Sequence, residues 1–158
     1  MLSSVKKANL YLKSFGFFKV PLIWLCRPKI ISLDSQSVAV RMPLKRKTKN
    51  HLNSMYFGAL AIGADVAGGF MAMSKSSQRG INISLAFKEV EGKFLKRAEG
   101  DVLFECSDGK LIDQMLDEAI ETKQRINRNV SIIARCPNID SDSHVAEFTL
   151  MLSVKVKE

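Results

Sequence analysis

The sequence contains little of what marks several common protein classes. Its 158 residues include 3 cysteines, 4 prolines and 9 glycines, without a low-complexity stretch or an internal repeat. A small, odd number of cysteines argues against a disulfide framework, so we expect a reducing, cytoplasmic setting. The chain lacks a nucleophile elbow, a phosphate-binding glycine loop, a paired-cysteine metal motif and a zinc-binding histidine pair. Its length and its 46% hydrophobic residues predict one domain, with or without a short appendage.

Net positive charge is confined to the first third of the chain. Up to Lys49 there are 11 basic residues and one acid, Asp34, a balance of +10; the remainder has 13 basic and 15 acidic residues, a balance of −2. Such a field favours an anionic partner: phosphates, lipid head groups or nucleic acid. Residues 4–19 mix aromatic residues and lysines at spacings of an amphipathic helix, which could pack on the core or touch a membrane surface. No strand pair interleaves aromatic and basic residues as RNA-binding sheets do, so we expect no nucleic acid.

Two apolar stretches raise the question of a membrane segment. The first, Phe15–Cys26, is interrupted by Lys19 and Pro21 and is not followed by a small-residue cleavage site, so we reject a signal peptide. The second, Met55–Met73, has about the length that spans a bilayer, but Asp65 lies near its centre. An acidic group there costs about 2.5 to 3.5 kcal/mol of insertion free energy. We therefore predict a helix buried in a soluble protein.

Hydrophobic periodicity predicts one long helix among strands. The helix should start near Met55, capped by the short polar side chains of Asn50–Ser54, and its apolar residues on every face require it to be enclosed. An amphipathic helix is predicted over Leu111–Lys123. Alternating residues predict strands at Val38–Met42, Ile81–Phe87 continuing to Ala98, Val102–Cys106, Val130–Cys136 and Val145–Val156. The order indicates an α+β fold in which a mostly antiparallel sheet curls around the apolar helix.

Asp65 is the residue that most needs an explanation. It is the one charged residue from Met55 to Met73, and a carboxylate in apolar surroundings is costly unless it is paired, hydrogen-bonded or used. Three explanations stay open at this point: a structural tie to a loop, a position at a wet dimer interface, and a catalytic role. By contrast, His51 and His144 lie in polar surroundings typical of solvated surface. The three cysteines fall in apolar runs and are expected to pack as small buried residues.

The run from Asn50 to Asp65 resembles the hotdog-fold acyl-coenzyme A thioesterases of the phenylacetate-pathway type. It is closest to a bacterial thioesterase-like branch of that superfamily, defined as a domain of unknown function. In the thioesterases a loop Asn is followed six residues later by His-Gly-Gly, and an acidic residue lies nine residues beyond that His. Here Asn50, Tyr56-Phe57-Gly58 and Asp65 match these spacings. Residues 94–102 resemble the second strand of the family and its turn.

Two features depart from the better-known thioesterases. Tyr56 and Phe57 replace His-Gly, and the helix Leu111–Lys123 is inserted where the family has a plain strand connection. The resemblance begins near the first predicted strand. It therefore implies a hotdog domain over residues 33–158 preceded by a helical appendage over residues 1–32.

The resemblance implies hydrolysis of an acyl-coenzyme A thioester at a site shared between the subunits of a homodimer or tetramer. The backbone amide of Phe57 or Gly58, at the helix start with Tyr56, would polarise the thioester carbonyl. Asp65 of the other subunit would be general base or nucleophile, and Asn50 would position water or the carbonyl. The coenzyme A phosphates would meet cations, with no metal and no separate cofactor required; the candidates are Lys47, Lys49, Lys96 and Arg97. The alternative is a hotdog protein that binds an acyl ligand without turnover.

Overall fold

The computed structural model describes residues 4–157 and contains four helices and six strands in that range. Residues 1–3 of the predicted appendage and residue 158 of the predicted hotdog domain lie outside the described residues. The elements are α1 (Ser4–Phe18), α2 (Pro21–Cys26), β1 (Lys29–Leu33), β2 (Val38–Met42), α3 (Phe57–Gln78), β3 (Ile83–Phe94), β4 (Val102–Cys106), α4 (Gly109–Thr122), β5 (Ile126–Cys136) and β6 (Asp140–Val156).

The six strands form one sheet in the order β1-β2-β4-β5-β6-β3, and every neighbouring pair is antiparallel. The long strands β3, β5 and β6 carry the periodicity-2 patterns found in the sequence. Register shifts between Phe87 and Val90 in β3, and between Ala134 and Cys136 in β5, mark irregularities that increase local twist. The curved antiparallel sheet predicted from the sequence is confirmed.

Helix α3 lies in the concave side of this sheet and contacts β2 through β6. Close approach is possible because small residues face the strands: a Cβ at Gly63 would lie 2.2 Å from the Phe104 ring, and one at Gly68 would lie 3.4 Å from Val130. The helix is long and apolar enough to cross a membrane, yet most of it is buried inside the domain. It is the enclosed core helix that the sequence predicts.

Helix α4 packs beside the C-terminal part of α3, and the predicted amphipathic helix is confirmed. Its buried face is formed by Ile112, Met115, Leu116 and Ala119. Its polar face pairs with α3: Lys75 Nζ lies 2.7 Å from Asp113 Oδ2, and Arg79 lies 2.6 Å from both Asp113 and Asp117. Charge pairs therefore fix the end of α3 against α4.

The first strand of the sheet precedes the one we predict at Val38–Met42. In β1, Ile30 is fully buried and pairs with Val40 of β2. The Asn9 side chain of α1 then closes the outer edge of β1, since Asn9 Nδ2 donates to the Ile30 carbonyl (2.8 Å) and Asn9 Oδ1 accepts from the Ile30 N–H (2.9 Å). An amide side chain thus takes the place of a neighbouring strand at this edge.

Candidate active site

The loop between β2 and α3 is held by buried hydrogen bonds. Thr48 is buried, and its hydroxyl donates to the Pro43 carbonyl (2.7 Å). The Tyr56 N–H donates to the Thr48 carbonyl (2.8 Å), and the Met55 N–H donates to the Ala98 carbonyl (2.8 Å). The start of α3 is therefore tied both to its own loop and to the segment that follows β3.

Asn50 organises the tip of this loop. Its Oδ1 accepts hydrogen bonds from the Leu52 N–H (2.9 Å), the Ser54 N–H (3.2 Å) and the Ser54 hydroxyl (3.2 Å). The prediction that residues 50–54 cap α3 is wrong, because these polar groups bind one another; the residue at the cap position is Tyr56, without a capping side-chain bond. Within residues 4–157, Asn50 Nδ2 donates no hydrogen bond and is available to a ligand.

The N-terminus of α3 leaves its backbone donors uncompensated. The helix starts at Phe57, two residues later than we predict, and has no acidic residue in its first turn. The first amides of a helix have no intrahelical acceptor, and the helix dipole makes this end partly positive. The Tyr56 ring folds over the first turn, since a Cβ at Gly58 would lie 2.5 Å from Tyr56 Cε1. Because Gly58 has no side chain, the Tyr56 ring can lie against the first turn of α3.

Asn50, Tyr56 and Phe57 line an open cleft of about 560 Å³. The structure brings two further sets of residues into it. One is aromatic: the Phe94 ring lies 6.2 Å from that of Phe57, in an edge-to-face arrangement. The other is polar and includes His51, which the sequence assigned to solvated surface. The full lining is Asn50, His51, Leu52, Ser54, Met55, Tyr56, Phe57, Leu60, Phe94, Leu95, Lys96, Arg97 and Ala98.

The four cations singled out in the sequence differ in position. Lys96 and Arg97 line the cleft, whereas Lys47 and Lys49 do not. Lys96 Nζ donates to Ser143 Oγ (2.7 Å), and Lys49 Nζ donates to Asn53 Oδ1 (3.1 Å). Arg97 is exposed and has no ion-pair partner in the described chain, so it is the freest of the cations beside the cleft.

Asp65 lies outside this cleft. It is eight residues beyond Phe57, which places it about 12 Å further along the helix axis. Its carboxylate faces a second cavity, of about 230 Å³, walled by the inner side of α1 and by β3; Leu12, Phe15 and Phe87 are among the lining residues. A single chain therefore does not bring Asp65 together with Asn50 and Phe57.

The carboxylate of Asp65 has no hydrogen bond or ion pair within residues 4–157. Burial against apolar neighbours, which include Val66 and Phe70, raises its pKa. The structural tie to a loop that the sequence left open is therefore absent from the described residues. What remains is a partly buried carboxylate without a partner, which is a common property of catalytic groups.

The other candidate chemical groups have structural explanations. Cys26, Cys106 and Cys136 are free and buried, as expected, and burial raises the pKa of the Cys106 thiol to about 11, so it stays protonated at neutral pH. His144 Nδ1 lies 2.6 Å from Glu147 Oε1. In residues 4–157 no group of three or more His, Cys, Asp or Glu side chains is placed to hold a metal ion.

Comparison with known families shows where the chain belongs. The model of DUF4442, a domain of unknown function, matches residues 9–148. The chain is a member of the DUF4442 family. In this DUF4442 protein the matched region begins inside α1, within the segment that we assigned to an appendage, and ends in β6. No curated protein matches the chain significantly.

Solved structures similar to this DUF4442 protein establish its hotdog fold. A Pseudomonas aeruginosa protein of unknown function, described as a probable thioesterase, is 22% identical, with a TM-score of 0.79 and 99% of each chain covered. A Chlorobaculum tepidum protein of unknown function has a TM-score of 0.82 at 18% identity, covering 98% of this chain and 97% of its own. A Haemophilus influenzae thioesterase has a TM-score of 0.68 at 12% identity, covering 99% and 93%. At these identities the likeness defines the fold alone.

Proposed function

We propose that this hotdog protein hydrolyses acyl-coenzyme A thioesters at a site shared between two subunits. The observation that carries the proposal is the separation of complementary groups on α3. Its uncapped N-terminus lies in an open cleft with free donors, while its one carboxylate, without a partner, lies about 12 Å away in an apolar cavity. A two-fold dimer would let the N-terminus of one copy meet the carboxylate of the other.

The free edge of the sheet supports this dimer. Strand β3 is 12 residues long, and its outer edge has no pairing partner in the described chain. Long, open edge strands favour pairing with another strand. The charged residues Lys88, Glu89, Glu91 and Lys93 sum to zero, so two copies of the strand would not repel each other. Asp65 shares its cavity with Phe87 of β3, so pairing of two β3 strands would bring each Asp65 towards the partner.

The reaction follows from these groups. Asp65 of one subunit removes a proton from water, and the water oxygen attacks the thioester carbonyl carbon. The amides of Phe57 or Gly58 in the other subunit, with the Asn50 amide, stabilise the resulting oxyanion. Collapse of the intermediate breaks the C–S bond, and the leaving thiolate takes up the proton. The products are a carboxylic acid and coenzyme A.

Charge and shape support our proposal for how the rest of the substrate binds. Arg97 and Lys96 at the rim of the cleft would bind coenzyme A phosphates, with Lys47 and Lys49 on the neighbouring loop extending the positive surface. The apolar cavity beside Asp65 would take the acyl chain. Apart from Asp65, the side chains that line this cavity of about 230 Å³ are mainly apolar, which favours a hydrocarbon chain over a polar group.

Turnover of a panel of acyl-coenzyme A esters tests the proposal, and mixed dimers test the shared site. Asp65→Asn removes the base. Asn50→Asp keeps the Oδ1 acceptor that holds the loop but replaces the free donor with a carboxylate oxygen. We expect both homodimers to be inactive, and dimers refolded from an equal mixture to regain about a quarter of wild-type activity, since half of them carry one intact site. Mixtures as inactive as the single variants would contradict a shared site.

One observation favours binding without turnover as the second candidate. The Tyr56 and Phe57 rings, with centroids 4.8 Å apart, cover the helix start where the family resemblance places His-Gly. If the wild type binds acyl-coenzyme A in calorimetry but hydrolyses no ester of the panel, the protein is an acyl-binding module and the hydrolase proposal is wrong.

A further inference from the structure

The two N-terminal helices present an apolar surface to solvent. Helix α1 buries Ala8, Leu12 and Gly16 against the domain. The side chains at its outer face and its C-terminal end include Leu10, Phe17 and Phe18, and the Phe18 side chain is 74% exposed. Monomeric soluble proteins seldom expose a contiguous patch of large apolar side chains without a partner.

Helix α2 extends this surface at the α1–α2 turn. The Trp24 ring lies 5.5 Å from that of Phe17, which in turn lies 5.0 Å from that of Phe18, both in edge-to-face contact. Leu22, on the same helix as Trp24, is exposed as well. We name Leu10, Phe17, Phe18, Leu22 and Trp24 the apolar corner. The backbones of α1 and α2 approach each other closely here, because a Cβ at Gly16 would lie 3.0 Å from the backbone nitrogen of Trp24.

Cations surround the apolar corner. Residues 4–33 include six Lys or Arg and no Asp or Glu. Lys13, Arg27 and Lys29 line a groove of about 770 Å³ together with Leu10 and Trp24. These three cations have no ion-pair partner in the described chain, whereas Arg79 and Arg128 pair with acids on α4. The groove therefore offers uncompensated positive charge beside exposed aromatic side chains.

We propose that the apolar corner docks on an anionic phospholipid bilayer, with Lys13, Arg27 and Lys29 facing lipid phosphates. Trp and Phe side chains flanked by Lys and Arg are typical of helices that lie in the membrane interface. Charge complementarity selects this occupant: a second copy would bring two surfaces of like charge together, and nucleic acid would leave Phe18 and Leu22 without apolar contacts. This inference does not depend on thioesterase activity.

Sedimentation of the full chain with vesicles tests the inference. The vesicles contain phosphatidylcholine alone or phosphatidylcholine with about 30% phosphatidylglycerol. We expect the partition coefficient to be at least about tenfold higher for the anionic vesicles at about 0.1 M salt and to fall at about 1 M, where screening shortens the Debye length. Equal partition into both kinds of vesicle, or none into either, would overturn the inference.

A matched pair of glycine variants isolates the charge. Arg27 and Lys123 are both exposed cations at helix C-caps with left-handed backbone, at φ of 55° and 58°. Glycine suits this conformation, so Arg27→Gly and Lys123→Gly each remove one charge without straining the fold. We expect Arg27→Gly to weaken partition about fivefold and Lys123→Gly to leave it unchanged. Equal effects of the two variants would contradict a localised site.

A second pair isolates the apolar contribution. Phe18→Ser should weaken partition about tenfold, while Ile139→Ser, which changes a side chain 64% exposed in the β5–β6 turn, should have no effect. Sedimentation velocity without lipid provides the last control. If Phe18→Ser instead converts a larger oligomer into a smaller one, or if the wild type binds duplex DNA and no vesicle, the surface belongs to another partner and the proposal is wrong.

Discussion

The polar groups at the C-terminal end of α3 have partners among residues 4–157, whereas those in its N-terminal half do not. At the C-terminal end, Lys75 is buried and paired with Asp113, and Arg79 binds Asp113 and Asp117. The N-terminal half has neither a capping side chain nor a partner for Asp65 within the described residues. Burial raises the pKa of Asp65. Desolvation acts to raise the pKa of Asp113 as well, but the hydrogen bonds and positive charges of Lys75 and Arg79 together lower it.

This contrast predicts that the C-terminal end of α3 contributes mainly to stability and the N-terminal half mainly to the proposed function. Buried polar groups are normally satisfied, because leaving one without a partner costs free energy. The C-terminal end follows this rule, and its charges fix α4 against the core. In the N-terminal half, the partly buried Asp65 carboxylate departs from this rule, whereas the first amides of α3 lie in the open cleft where we propose that the substrate binds. Substitutions at the two ends should therefore affect different measurements.

The largest expected effect is on catalysis by Asp65→Asn. Asparagine keeps the size of the side chain but cannot accept a proton from water, and loss of a general base lowers kcat by about 100- to 10,000-fold. Steady-state hydrolysis of the best acyl-coenzyme A ester measures the change. Circular dichroism controls for folding, and a wild-type rate in the variant would exclude the proposed mechanism.

Substitutions at the C-terminal end of α3 should lower the free energy of unfolding rather than kcat. Asp113→Ala leaves the buried Lys75 ammonium without its partner, and we expect the free energy of unfolding to fall by about 3 kcal/mol. Asp117→Ala is the matched control. The Asp117 side chain is 70% exposed and, among residues 4–157, pairs with Arg79 alone, so its loss should cost less than about 1 kcal/mol. Urea denaturation measures both. Equal losses would mean that burial of Lys75 does not determine the cost.

Alanine substitutions at two glycines of α3, Gly63 and Gly68, should have opposite effects on stability. Gly63→Ala places a methyl group 2.2 Å from the buried Phe104 ring, and we expect it to lower the free energy of unfolding by about 1 to 3 kcal/mol. At Gly68 the nearest atoms lie at 3.4 Å or more, an ordinary contact, so Gly68→Ala should raise that free energy by about 0.5 to 1 kcal/mol. Effects of the same sign in urea denaturation would refute the packing argument.

The sequence predicts those parts of the fold in which local periodicity matches burial. The alternation of β6, the amphipathic stripe of α4 and the apolar α3 all persist in the structure. Strand β1 escapes prediction because it has one fully buried residue, Ile30, and because its outer edge is closed by Asn9, 21 residues earlier in the chain. No local pattern encodes such a contact.

Five residues that line the cleft were predicted through the family resemblance: Asn50, Tyr56, Phe57, Lys96 and Arg97. Without that resemblance, only a residue that conflicts with its neighbours could be picked out. Asp65 stands out as a charge in an apolar run. Phe94 and His51 carry no such signal, because the contact that brings the end of β3 to the loop before α3 is a backbone hydrogen bond from Met55 to Ala98. The helix cap was missed because Asn50 and Ser54 bind each other. Side-chain competition of this kind is not visible as periodicity.

A smaller effect is expected in the pH dependence of stability. Because burial raises the pKa of Asp65, the folded state binds its proton more tightly than the unfolded chain does. The contribution of Asp65 to the free energy of unfolding is greatest below its ordinary pKa of 3.8. This contribution is lost as the pH rises through the raised pKa of the folded state. Asp65→Asn should therefore gain stability relative to wild type over that interval. Urea titrations at fixed protein concentration measure this, and a relative loss with rising pH would contradict it.

The smallest effect should follow removal of the Tyr56 hydroxyl. That hydroxyl makes no hydrogen bond within the described residues, while the ring covers Gly58 and contacts Phe57. If the oxyanion is stabilised by backbone amides, Tyr56→Phe should change kcat by less than about twofold. If the hydroxyl were itself an oxyanion donor, its loss would lower kcat by about 100- to 1,000-fold. Tyr56→Ala serves as the comparison, since it removes the ring and should alter KM. A fall in kcat of tenfold or more in Tyr56→Phe would assign the hydroxyl a direct role at the thioester.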